Sequence, residues 1–249
     1  MDNYNFKVSI ITVSFNSEKT IGRTIESVLY QTYSNIEYII IDGLSNDSTL
    51  DIANSYREKF AEKEMEYKVV SAKDQGIYDA MNKGIKMATG HIVGIINSDD
   101  WYENIAVETM LKSYTLFNFD IMYGGLNIVR DNKKNIIKKA RLMKFMSTRH
   151  WNHPTMFVKR NVYTELGLYK LDNIYADWDF FLRAKKANLS IYIVEDVLAN
   201  FSTNGVSHRK SIRDFRNRLV SRYKCYRQNN YSVLYSFESL AMEIIKLIM

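Results

Sequence analysis

The residues of this chain best suited to chemistry lie near its middle, where the apolar run 91–96 gives way to Asn97, Ser98, Asp99 and Asp100. Adjacent carboxylates at the carboxyl end of a buried strand can hold a cation. Their oxygens are hard ligands suited to Mg²⁺ or Mn²⁺, and such an ion completes its shell with water and substrate phosphates. A diphosphate-bearing partner is therefore implied. The same four residues also read as ordinary turn and helix-capping chemistry, in which Asp and Asn satisfy backbone N–H groups and bind nothing else. What decides between the two is the company these residues keep.

Residues 7–130 alternate short β-branched runs with longer segments of helical spacing, the pattern of a mainly parallel α/β sheet covered on both faces. Strands are expected at 8–13, 38–41, 67–70 and 91–96. The first leads through Ser14, Phe15, Asn16 and Ser17 into an apolar helical stripe of Ile21, Ile25, Val28 and Leu29. The second ends at Asp42-Gly43, after which Ser45, Asp47 and Ser48 offer caps for a helix reaching about Phe60. The third precedes Asp74, Gln75, Gly76 and a helix over 77–88, with Gly90 as its expected stop. A further helix is expected directly after Asp100. Ligands of open α/β sheets bind outside the carboxyl ends of the strands, so the Asp-, Asn-, Ser- and Gly-rich loops after these four strands should converge. Beyond residue 120 the pattern changes to runs at 121–125 and 126–130, a turn at Asp131-Asn132 and another run to Ala140, which predicts antiparallel strands. Residues 177–186 read as a helix opening with acidic side chains.

With 249 residues, 46% of them hydrophobic, the chain can bury a full core, and a folded rather than disordered chain is expected. The single cysteine, Cys225, rules out an internal disulfide and fits a reducing compartment. No apolar run approaches the roughly 18 residues of a spanning helix and the first residues lack a secretion signal, so a cytoplasmic address is expected. The net charge of +6 is unevenly placed: residues 1–207 hold 25 Lys/Arg and 25 Asp/Glu, whereas 208–227 hold eight Lys/Arg against Asp214 alone. Two domains are expected, one over 1–207 and a basic amphipathic helical arm over 208–249. The arm carries apolar stripes at Ile212, Phe215, Leu219, Tyr223 and Tyr226, then at Val233, Phe237, Leu240, Ile244 and Ile248. Such stripes dock on the protein's own core or on a second copy in a homo-oligomer, and basic ones also lie on anionic membrane surfaces.

Five segments, 8–16, 41–49, 74–84, 97–100 and 176–183, together resemble the family 2 glycosyltransferases of bacterial surface-polysaccharide synthesis, and the likeness extends from about residue 7 to 207. The resemblance implies a nucleotide-sugar-binding domain of the GT-A type and sugar transfer from a nucleoside diphosphate with inversion at the anomeric carbon. It implies that Thr12, Phe15, Asn16 and Asp42 hold the nucleoside, a buried carboxylate favouring the imide of uracil or thymine. Asp74 and Gly76 would line the ribose or phosphates, with Asn82, Lys83, Asn97 and Ser98 completing that side. Asn97 stands where the family usually has aspartate, which removes one charge from the metal motif; Asp99 is the expected direct ligand, with Asp100 beside it. His208 falls where some members carry a histidine that joins metal and diphosphate. Asp177 takes the place of the general base that accepts the acceptor hydroxyl's proton, although Ala176 replaces the family's usual glutamate before it. His153, Trp178 and Asp179, with Asp100, are expected near the acceptor, a glycan or lipid-linked glycan.

Two rival functions make distinct demands. A nucleotidyltransferase would need a phosphate-gripping Gly- or Lys-rich first loop, which residues 14–18 do not supply. A binding protein for anionic polymers could use 208–227, but nucleic acid is not the expected partner, because the strand-end carboxylates would repel its phosphates.

Overall fold

The computed structural model describes residues 6–131, 133–203 and 212–248, with backbone alone for 212–214 and 245–248. Strands β1 (Val8–Ser14), β2 (Ile36–Asp42), β3 (Glu66–Ser71) and β4 (Ile92–Asn97) run parallel in the order β3-β2-β1-β4. Every residue of β1 and β2 is buried, as expected of strands covered on both faces. Side chains alternate between those faces. Val8 and Ile10 join the layer of α1 (Ile21–Leu29), α2 (Thr49–Ser55) and α3 (Arg57–Glu62). Ile11 and Val13 face α4 (Ile77–Met87), where a Cβ on Gly84 would come within 2.5 Å of Ile11.

Beyond β4 the sheet continues through β8 (Phe157–Lys159), β6 (Ile121–Val129), β9 (Ile191–Ser202) and β5 (Trp101–Tyr102), with β7 (Ile136–Lys138) paired to β6, nine strands in all. Strand β8 is antiparallel to β4 and β6, and β7 to β6, whereas β9 is parallel to β6. The remaining helices are α5 (Ala106–Phe117), α6 (Arg160–Leu166), α7 (Ala176–Lys186), α8 (Ile212–Gln228) and α9 (Tyr235–Ile248).

Several local expectations are corrected. The helix after Asp100 is delayed by β5, which pairs with β9 through Trp101 and Asn200. The helix over 49–60 is two pieces broken at Tyr56. Gly90 does not cap α4, whose C-cap is Ala88; a Cβ at Gly90 would stand 2.5 Å from the Ser9 nitrogen, so glycine is needed there for close approach to β1. Gly124 and Gly125 do not divide β6 but form an irregularity where its register with β9 shifts.

The two C-terminal helices pack on the body. Cys225 and Tyr226 of α8 lie in the same core cluster as Trp178 and Phe181 of α7. Arg222, fully buried, donates to Glu243 of α9 at 2.9 Å, and Arg218 reaches the other oxygen of that carboxylate at 2.7 Å. Among the described residues no helix is long and apolar enough to cross a membrane.

Candidate functional site

Register brings the four strand ends level. Ser14 sits opposite Asp42, Asp42 opposite Ser71, and Val13 opposite Asn97. The loops then touch. A Cβ on Gly43 would stand 2.6 Å from Asp74 Oδ2 and 3.5 Å from Phe15, so glycine allows the loops after β1, β2 and β3 to meet. Ser17 after β1 and Ser98 after β4 share a hydrogen bond of 2.7 Å.

Asp42 is fully buried at this junction. It accepts hydrogen bonds from the hydroxyls of Ser14, Ser45 and Ser71 and from the Ser45 backbone N–H. Its carboxylate is thus the tie that closes three loops. Asn16, at φ 49°, does the same between two of them: its N–H donates to Ser45 Oγ and its Oδ1 accepts from Asn46 N–H, both at 2.9 Å. Phe15 remains 60% exposed and Leu44 49%, leaving an apolar lip beside Asp74 that can take a flat ring. Asp74 accepts from the Gly76 N–H at 2.8 Å, and Gly76 has φ 114°, a conformation that disfavours any side chain.

Three residues expected on the nucleotide side prove to have other work. Thr12 points into the α1 layer, fully buried, and accepts from Tyr38 Oη at 3.0 Å; the two-residue period of the strand turns it from the loops. Asn82 is buried and clamps the Tyr169 backbone, donating to its carbonyl at 2.8 Å and accepting from its N–H at 3.0 Å. Lys83 pairs with Asp79 at 3.1 Å and donates to the Lys73 carbonyl, bracing the loop rather than reaching across it.

The carboxylates after β4 are under electrostatic strain. Burial pushes the Asp100 carboxyl well above the usual range, Asp99 pushes it further, and a hydrogen bond from Ser202 N–H at 3.0 Å with the charge of Arg23 offsets only part. Asp99 is likewise raised by burial. Asp100 Oδ2 and Asn97 Oδ1 are buried with no hydrogen-bond partner among the described residues. Two carboxylates held in low dielectric beside orphaned oxygens are what a divalent cation would relieve. Among the described residues no three His, Cys, Asp or Glu side chains gather as a closed metal cage; the donor set fits an ion that keeps open positions for water and phosphate. His208 lies outside the described residues.

Asp177, in the first turn of α7, accepts on Oδ1 from Tyr78 Oη at 2.9 Å and from Trp178 N–H at 2.7 Å. Tyr78 is the second residue of α4, so the carboxylate adjoins the start of the helix that follows Asp74 and Gly76. His153 stands nearby, 3.4 Å from Tyr169 Oη; burial lowers its pKa and Asp177 partly restores it. Trp178 is fully buried against Trp151 and Phe181, a core residue. Asp179, 1% exposed, turns inward to Lys170, Arg183 and Asn229. The acceptor contacts expected of these two are therefore not made by their side chains.

Sequence reasoning missed Tyr78, though it lies inside a recognised motif, and Arg23. Arg23 stacks 3.5 Å over Trp101 and donates to the Asp99 carbonyl at 3.1 Å. Its link to residue 99 spans 76 positions and leaves no local signal.

This sheet, with loops meeting at four strand ends, has the fold of the GT-A glycosyltransferases. The fold matches that of Staphylococcus aureus TarS, solved with UDP, at a TM-score of 0.70 and 17% identity over 96% of this chain and 70% of that one. It also matches the mannosyltransferase PcManGT of Pyrobaculum calidifontis, solved with GDP-Man and Mn²⁺, at 0.70 and 15% over 99% and 75%. Residues 9–171 match glycosyl transferase family 2, and the chain belongs to that family. A PGL/p-HBAD biosynthesis glycosyltransferase of Mycobacterium bovis is 29% identical over 219 residues, 85% of this chain and 83% of its own length. An uncharacterized glycosyltransferase of Mycobacterium tuberculosis is 33% identical over 216 residues, 82% and 78% respectively.

Proposed function

We propose that this enzyme transfers a sugar from a nucleoside diphosphate, UDP for preference, to a hydroxyl of a lipid-linked glycan, with inversion and with help from Mn²⁺ or Mg²⁺. The observation that carries the reading is the buried Asp100 carboxylate with the half-buried Asp99 beside it, both raised in pKa by burial, next to unpartnered oxygens of Asp100 and Asn97 at the end of β4. Phe15 and Leu44 offer the base a stacking edge, and the loop at Asp74 and Gly76 offers the ribose and diphosphate a close backbone approach. Asp99 and Asp100 would hold the divalent cation, which would supply charge neutralisation for the departing diphosphate. Support comes from the neighbours of like fold, bound to UDP, UDP-GlcNAc, or GDP-Man with Mn²⁺.

Asp177 takes the acceptor hydroxyl's proton as its oxygen bonds to the anomeric carbon and the bond from that carbon to the diphosphate breaks. Both hydrogen bonds to this carboxylate fall on Oδ1, which leaves Oδ2 to receive the proton. Calorimetry of UDP and UDP-sugars with Mn²⁺ and with chelator tests the metal and nucleotide roles. The parent should bind more tightly with metal, and Asp99→Ala should lose that increment. Equal affinity in chelator would reject the metal role.

A further inference from the structure

Helix α9 is apolar on two sides. Tyr235 and Met242 face inward, together with the buried Ser239 and Glu243. On the outer side Leu234 is 66% exposed, Phe237 70%, Leu240 42% and Ile244 45%. At helical spacing Phe237, Leu240 and Ile244 share one stripe with exposed Ala241, opposite the inward residues, and exposed Val233 and Leu234 stand in the turn that leads into the helix. The acidic residues of the segment stand off it: Glu243 is held by Arg218 and Arg222, and the Glu238 carboxylate oxygens are buried.

A second exposed apolar group adjoins. Leu142, Met143 and Phe145, the last 70% exposed, alternate with exposed Arg141 and Lys144 in the loop after β7. This loop is held beside the C-terminal helices where the Met146 carbonyl accepts from Tyr226 Oη of α8 at 3.4 Å and Met146 joins the core cluster of Tyr226, with Ser147 next to Glu238 of α9. The loop is also basic. Residues 139–150 carry exposed Lys139, Arg141, Lys144 and Arg149 and not one Asp or Glu.

A second copy of the chain would bring these cations against their own kind, at an electrostatic penalty. An anionic surface meets both features at once. We propose that the outer face of α9 and the loop 141–145 form one surface that seats on an anionic phospholipid bilayer. Leu234, Phe237, Ile244 and Phe145 enter the acyl boundary while Arg141 and Lys144 meet headgroup phosphates. The inference is independent of the assignments of donor and general base, and it bears on the acceptor, since a lipid-linked glycan is presented at that surface.

The test is sedimentation of the full chain with vesicles of equimolar phosphatidylglycerol and phosphatidylcholine, and with phosphatidylcholine alone. The variants are Phe145→Glu/Phe237→Glu, both at exposed positions, and Arg141→Glu/Lys144→Glu. Circular dichroism checks folding, calorimetry with UDP reports the nucleotide site separately, and light scattering without vesicles reports oligomeric state. The parent should bind only the anionic vesicles, and each double variant and high salt should weaken this at least about tenfold while UDP binding is unchanged. Three results overturn the proposal. They are no binding by the parent, equal partition of parent and variants, and a parent dimer without vesicle affinity that Phe145→Glu/Phe237→Glu dissociates, which would assign the face to a second copy.

Discussion

Asp177 and Asp179 stand two positions apart on one helix and do opposite work, because a two-residue step turns the side chain to another side. Asp177 reaches Tyr78 near the strand-end loops, whereas Asp179 is sealed among Lys170, Arg183 and Asn229. Asp177→Asn should lower sugar transfer about 10²–10⁴-fold, the usual cost of a lost positioned base, with donor affinity close to the parent's. Asp179→Asn should instead lower the melting temperature, since it leaves two cations facing a neutral group, and should affect turnover less. Steady-state rates paired with calorimetry and thermal melts separate the two. Asp100 is a different case. Its carboxylate is disfavoured by burial and by Asp99, so the charge costs the metal-free fold stability. Asp100→Asn should melt higher than the parent in chelator and gain less from Mn²⁺; a lower melting temperature in chelator would contradict the strain argued here.

At the scale of elements, what holds the second half of the site is the packing of α8 on the turn before α7. Asn173 donates to the Ser221 carbonyl at 3.0 Å and accepts from Tyr175 N–H at 2.9 Å. Arg222 donates to Tyr175 Oη at 2.9 Å, and Tyr175 is the N-cap residue of the helix that carries Asp177. Removing Arg222 leaves Glu243 buried with one cation fewer, which costs about 3 kcal/mol for a broken buried pair. In a chain of this size that loss lowers the melting temperature by roughly 6–12 °C. Arg222→Met should show this, and Arg222→Met/Glu243→Gln should recover part of it, as calorimetric melts would register. Glu37 ties the parallel strands at their other end. Burial alone would raise its pKa, yet Lys68, Ser9 and the Thr89 N–H bring it down from 4.5 to about 2. A depressed carboxylate stabilises the fold above its unfolded value, and the contribution is lost as pH falls towards 2. The stability gap between the parent and Glu37→Gln should therefore narrow as pH drops from 5 to 2, in urea titrations at each pH.

At the scale of the molecule, the parallel half brings together the loops proposed to hold the nucleotide and the later half brings the proposed base, Asp177, to the start of α4, so on that reading neither half alone holds a complete site. Ligand binding should then stabilise the whole. A nucleotide and metal at about 100 times their dissociation constant add about 2.7 kcal/mol to the folded state. The parent should therefore melt higher with UDP and Mn²⁺ together than with either alone, and Asp99→Ala should remove that synergy.

The sequence by itself determined the parallel half of this protein. Strands β1 to β4 and helices α1 and α4 are written in local periodicity, and their loops are written in Asp, Asn, Ser and Gly, whose turn and capping chemistry acts within a few residues. Tertiary structure decided the rest, because the deciding partners are remote in the chain. Thr12 became a core residue through Tyr38, Asn82 through the Tyr169 backbone and Trp178 through Trp151. Strand β9, unforeseen, is partly exposed and exists by its pairing with β6. The basic helix α8, whose stripe could dock on the core, a second copy or a membrane as far as the sequence goes, buries Cys225 and Tyr226 in the core and Arg222 against Glu243. Burial and charge at Asp99 and Asp100 likewise depend on Arg23 and Ser202, 76 and 102 positions from the residues they meet. Local propensity acts through near neighbours, whereas pairing, burial and electrostatic strain depend on which distant segments the fold brings within a few ångströms.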